Sequence, residues 1–236
     1  MSYTPEQESR LRAQAAEIIS RYPQGHSRSA LLPMLHLVQS EDGFVSPNGI
    51  ALCAEVLDLT RAEVSAVATF YTMYKRHPTG DYLVGVCTNA MCSVMGGDEI
   101  WEAVSERVGV GSDETSADGK ITLERLECNA ACDYAPVVMV NWEFFDQQTP
   151  ESALGLIDDI EAGNPLHPTR GADQVHSFRE VEHTLAGFLD GHQHEGPSAG
   201  ERSQLGVNLA RANNWTAPRV LSQQPKESAV SEGEAK

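Results

Sequence analysis

Four of the five cysteines form an ordered set: Cys87-x4-Cys92, thirty-five intervening residues, then Cys128-x3-Cys132. Thiolates are soft metal ligands, and four of them converging from two loops can hold a two-iron, two-sulfur cluster with two cysteines on each iron. The same four could enclose one tetrahedral zinc, although structural zinc sites arrive mostly on Cys-x-x-Cys knuckles, which this chain lacks. A redox dithiol would want that same close spacing. Inert or merely reactive thiols are the remaining reading, and spacing alone leaves all of these open. Structural disulfides fit poorly, because Met1-Ser2-Tyr3-Thr4-Pro5-Glu6 has neither the basic start nor the apolar core of a secretory signal. The cytoplasm is therefore the expected compartment. Cys53 lies mid-helix in Ala51-Leu52-Cys53-Ala54 and reads as a small core hydrophobe.

The elements that must position the four thiols follow from capping signals and hydrophobic period. Residues 1–80 read as a helical bundle. Thr4-Pro5-Glu6-Gln7 combines an N-cap, a proline at the first helical position and a reaching amide, and Leu11, Ala15, Ile18 and Ile19 then recur at helical spacing until Tyr22-Pro23. Ser27 is expected to cap a second helix through Leu31, Leu35 and Val38 to about Glu41. Ser46-Pro47 opens a third and Thr60-x-x-Glu63 a fourth, with Leu59 and Val64 placed as a hydrophobic staple.

Beyond Thr79-Gly80 alternation replaces the helical period. Across residues 81–161 the pattern predicts strands over 82–87, 121–127 and 136–141, a pairing segment at Glu143–Phe145, a helix over 97–108 and a closing helix from Thr149-Pro150-Glu151 that carries Leu154, Leu156, Ile157 and Ile160. The 33-residue connection 88–120 is long enough for a helical crossover, which makes the first two strands parallel. Cys87 ends the first strand and Cys128 follows the second, so both pairs should meet at one sheet edge. The fold class is thus α/β (α+β): a helical bundle, then strand, helix, strand, strand, helix.

Residues 162–236 read as an extended, largely irregular tail beginning at Gly163-Asn164-Pro165, because Ile, Leu, Val and Phe make up only 13 of the 75 residues. Within it Ser177-x-x-Glu180 is a capping box, followed at helical intervals by Phe178, Val181, Leu185 and Phe188 or Leu189. This predicts a docking helix over 177–190, seated on a neighbouring subunit or back on its own domain. His192-x-His194 reads as solvated, and Phe70, Tyr71, Met73 and Tyr74 read as core.

The formal charge of -17 comes from 34 acidic and 17 basic side chains, and -15 of it belongs to residues 1–161. Free nucleic acid and anionic membrane surfaces are excluded as partners, since both need clustered Lys and Arg. No apolar stretch approaches the roughly 18 to 20 residues of a spanning helix, so direct membrane insertion is not expected. Neither Gly-x-Gly-x-x-Gly after a strand nor Gly-x4-Gly-Lys-Ser/Thr occurs, so the chain is not expected to bind NADH itself. Asp98, Glu99, Glu102, Glu124, Glu127 and Asp133 crowd the thiols in sequence. Their negative field would disfavour adding an electron to an anionic cluster, which points to a low potential, near about -400 mV or below.

Ser29-Ala30-Leu31-Leu32-Pro33-Met34-Leu35, Ala68-Thr69-Phe70-Tyr71-Thr72-Met73-Tyr74 and the two cysteine pairs resemble, in that order, the E subunits of the bacterial NADH-quinone oxidoreductases of respiratory complex I, over roughly residues 10–160. The resemblance implies a thioredoxin-like βαββα [2Fe-2S] domain ligated by Cys87, Cys92, Cys128 and Cys132. It implies the flavin-carrying, NADH-binding F subunit as partner, the iron–sulfur G subunit close by, and FMN and NADH held on the partner. It further implies one-electron transfer, no complete active site on this chain alone, and a peripheral position on the cytoplasmic side of the inner membrane. Asn129-Ala130 stands where that family often has Leu-Gly, and Gly96-Gly97-Asp98 varies its usual stretch; both bear on loop packing and on hydrogen bonds to sulfur. The same module could serve the diaphorase part of an NAD-linked hydrogenase or formate dehydrogenase. A zinc-stabilised interaction protein is the non-redox alternative.

Overall fold

Capping side chains decide where the helices of the N-terminal half begin. In the computed structural model, which describes residues 3–192 and 195–216, α1 (Pro5–Ser20) starts where the Thr4 hydroxyl accepts the Gln7 N–H and the Gln7 amide oxygen accepts the Thr4 N–H. Ser46 caps α3 (Pro47–Leu57), and a Thr60–Glu63 capping box opens α4 (Arg61–Phe70). Ser27 behaves differently from expectation. It makes no cap bond and instead enters a single 3-10 turn, Ser27–Ala30, that runs straight into α2 (Leu31–Asp42). Gly43, in the left-handed region at φ 78°, ends that helix. The four helices enclose one core of Leu11, Ile18, Met34, Leu35, Val38, Cys53 and Val64.

After Gly80 the chain enters β1 (Tyr82–Cys87), then two helices, α5 (Ala90–Val94) and α6 (Gly97–Val108). β2 (Glu114–Thr115), β3 (Ile121–Leu126), β4 (Val138–Val140), β5 (Glu143–Phe145) and α7 (Pro150–Ala162) follow. The sheet order is β2-β3-β1-β4-β5. β1 and β3 are parallel, with Tyr82 opposite Ile121 and Cys87 opposite Leu126, while β4 flanks β1 antiparallel on the other side. The α6 crossover sets that parallel pairing. Val84, Val86, Ile100, Val104, Leu123, Val140, Ile157 and Ile160 form the second core, where α6 and α7 pack together. Asn141 and Trp142 make the two-residue β4–β5 turn, both at positive φ. The fully buried Asn141 side chain ties that turn down: it accepts the Leu83 N–H at 2.7 Å and donates to the carbonyls of Asp81 and His176.

The segment beginning at residue 162, read above as tail, packs with the body as far as Ala199, where the described residues divide into two units. Leu166 and Val175 join the sheet core. α8 (Phe178–Leu185), opened by the expected Ser177–Glu180 capping box, lies against α2 of its own chain, with Phe178 fully buried. Its Glu182 carboxylate is inaccessible to solvent and has two partners: His36 Nδ1 at 2.6 Å and the Trp142 indole N–H at 3.1 Å. A buried carboxylate is tolerable only with such partners. The second unit contains α9 (Glu201–Ala212), which has no buried residue. His194 and residues 217–236 lie outside the described residues. No helix among the described residues is long and apolar enough to cross a membrane.

Candidate metal centre

The parallel register brings all four predicted thiols to one end of the sheet. Cys87 is the last residue of β1, and its strand pairing continues one residue further through the Thr88 N–H to Leu126 carbonyl bond. Cys92 follows on α5, one turn away. From the end of β3 the chain reaches Cys128 two residues on, then turns through Ala130 at φ 53° to Cys132, the first residue of a 3-10 turn, Cys132–Tyr134. The Cys87 thiol donates to the Glu127 carbonyl at 3.5 Å, which joins the two loops.

Within the end the thiols lie as two neighbouring pairs. The Cys92 thiol is pushed up to about 11 by burial first and then by the Cys87 thiol hydrogen-bonded beside it. Cys132 is raised by partial desolvation and then by the adjacent Cys128, with Cys87 a lesser influence. Cys87 and Cys92 are buried, Cys128 and Cys132 exposed. Ala131, Ala135, Val137 and Phe144 give the inner pair an apolar wall. Among the described residues no three Cys, His, Asp or Glu side chains close on a single point. Four thiols in two adjacent pairs offer soft donors of the kind that iron–sulfur clusters and structural zinc both use.

Gly97, whose role the sequence did not signal, holds the two halves of the first loop together. A Cβ there would stand 2.5 Å from the Cys87 carbonyl oxygen and 2.8 Å from that of Cys92. Gly97→Ala is therefore expected to push α6 off the Cys87–Cys92 segment, destabilising the chain by about 1–3 kcal/mol and, if that segment carries iron ligands, lowering the iron bound per chain. Iron analysis beside thermal unfolding checks this; full iron with unchanged stability would show that α6 can shift freely.

Asp98 and Glu124, among the acids expected to surround the thiols, are paired. Asp98 receives the Arg125 guanidinium at 2.7 Å and the Ser93 hydroxyl. Glu124 meets Lys75 at 2.7 Å in a pair nearly shielded from water, with the Lys75 ammonium 5.4 Å from the centre of the Trp142 ring. The uncompensated field at the thiols is correspondingly smaller than the sequence count suggests. The aromatic turn after α4 is also less buried than expected. Tyr74 is core and donates its hydroxyl to the Leu32 carbonyl at 2.9 Å, but Phe70 is 78% exposed and Tyr71 is exposed too. Cys53 sits in the helical core far from these loops in the chain, buried and pushed up to about 12 by desolvation.

The thioredoxin-like [2Fe-2S] ferredoxin family matches residues 15–161. The E subunit of the NADH-quinone oxidoreductase of Mycobacterium tuberculosis is 56% identical over 218 residues, which covers 92% of this chain and 85% of that protein. NADH-quinone oxidoreductase subunit 2 of Thermus thermophilus is 34% identical over 168 residues, 70% of this chain and 93% of that protein. Among solved structures, an NAD+-reducing [NiFe]-hydrogenase in the air-oxidized state superposes with a TM-score of 0.51 at 20% identity, over 56% of this chain and 23% of that one, a likeness of fold. The chain belongs to the thioredoxin-like [2Fe-2S] ferredoxins and, within them, to the E-subunit family of the NADH-quinone oxidoreductases.

Proposed function

We propose that Cys87, Cys92, Cys128 and Cys132 hold one [2Fe-2S] cluster, and that through it the chain exchanges single electrons with the FMN of an NADH-binding partner, the F subunit, with the iron–sulfur G subunit as a further neighbour. The observation that carries this reading is the meeting of two thiol pairs at one sheet end, one pair buried and one at the surface. When bound, the cluster supplies one-electron redox chemistry, which no side chain here provides. The protein's own part is placement. β1 and α5 hold the inner pair under an apolar wall that keeps water away, while the 128–132 loop brings the outer pair to the surface, where an electron partner can approach. Exposed Met91, Val94 and Met95 lie beside the inner pair on the same short helix and its end, an apolar rim suited to a protein partner rather than to solvent. The complex would stand on the cytoplasmic side of the inner membrane, with this chain peripheral.

Anaerobic purification tests the reading. The chain should be reddish-brown, carry two irons and bleach with dithionite, and NADH should bleach it only when the flavin-bearing partner is present. A colourless, zinc-containing chain would overturn the cluster; co-isolation with a nickel-bearing subunit in place of quinone-site subunits would move the electron partner to a hydrogenase.

A further inference from the structure

The loop between Cys128 and Cys132 contains a polar atom with nowhere to go. The Asn129 side-chain nitrogen is buried from solvent and has no hydrogen-bond partner. A buried N–H left unmade is costly, and folded proteins satisfy nearly all such groups. Asn129 directly follows one of the four thiols. The next residue, Ala130, is turned into the left-handed region and directs its backbone N–H at the Cys128 sulfur, 3.4 Å away. A loop in which one backbone donor already turns toward sulfur, with one further donor buried and unmatched, is built to meet acceptors that the polypeptide alone does not provide.

We propose that the Asn129 amide donates a hydrogen bond to the cluster, to a thiolate or inorganic sulfide on the outer-pair side, and thereby sets its potential. This rests on the ligand assignment above. Hydrogen bonds to cluster sulfurs favour the reduced, more negative form, so the amide raises the midpoint and counters the acidic surroundings. Asn129 is a tuning residue; it ligates nothing and takes part in no electron step itself.

The test is an anaerobic redox titration of the loaded chain followed by electron paramagnetic resonance. Asn129→Leu, which keeps the bulk and removes the donor, should make reduction about tenfold less favourable, which for one electron is a midpoint about 59 mV more negative. Asn129→Gln, which keeps an amide on a longer stem, should recover part of that loss. Independently, wild-type protein labelled with 15N only at the asparagine side-chain amide should show a nitrogen hyperfine coupling to the reduced cluster that vanishes in Asn129→Leu. An unmoved midpoint, no side-chain nitrogen coupling in wild type, or a coupling that persists in Asn129→Leu would each overturn the proposal while the protein stays coloured. Absence of colour in wild type would instead overturn the ligand assignment.

Discussion

Cys92→Ala should yield a folded chain with no iron and no visible absorption, a fall from about two irons per chain to none. Cys92 is buried against Cys87 in the inner pair, so its loss removes a thiolate from the enclosed side of the site. Alanine is the informative replacement, since a serine oxygen can itself ligate iron and leave a coloured protein with altered spectra. Alanine at Cys87, Cys128 or Cys132 should behave alike, with the outer pair losing less stability because it packs against less. Cys53→Ala is the control. Its thiol is enclosed by the helical core and held protonated by burial, so two irons should remain, with a stability loss of about 1 kcal/mol. Iron content and the visible spectrum decide the matter; a Cys92→Ala chain that kept both irons would place the ligands elsewhere.

The second large effect concerns stability. Phe178→Ala should cost about 3–5 kcal/mol, the usual range for emptying a fully buried aromatic site. For a body of this size that is on the order of 10 °C in melting temperature. Phe178 begins α8 next to α2, and its own N–H donates to the Asp81 carbonyl at 2.8 Å, so the void would open where tail, bundle and sheet meet. Urea unfolding of the isolated chain checks it. Were α8 held only by a neighbouring subunit, the isolated chain would change by less than about 0.5 kcal/mol.

Much of the frame was legible because its signals are local. The strand at Tyr82–Cys87, the helix at Gly97–Val108 and the caps at Thr4, Ser46, Thr60, Thr149 and Ser177 each depend on neighbours within a few residues. The convergence of the thiols followed from one further inference, that a long crossover makes β1 and β3 parallel. What escaped was tertiary. The capping box announced α8, but nothing near Glu182 in sequence indicates that His36, 146 residues away, would receive its carboxylate in the core. Averaging composition over 162–236 diluted Leu166, Val175 and Phe178 with the polar residues that follow. α5 spans 5 residues and is too short to show a period. Phe70 was misread by residue type. Val64 and Ala68 mark the buried stripe of α4, and two residues past Ala68 the helix has turned about 200° away from it.

Glu182 also dictates an order of events during synthesis. The chain emerges at about 5–20 residues per second, so α1 to α4 wait from several to roughly twenty seconds before α8 arrives. Until then His36 on α2 and the Trp142 indole at the β4–β5 turn are without the carboxylate that later joins them. The nascent bundle and the nascent sheet are thus two halves without their common clasp, and a chain truncated between Ala162 and Ser177 would contain every cysteine and lack that clasp. Its final closure belongs to the last-made third of the polypeptide.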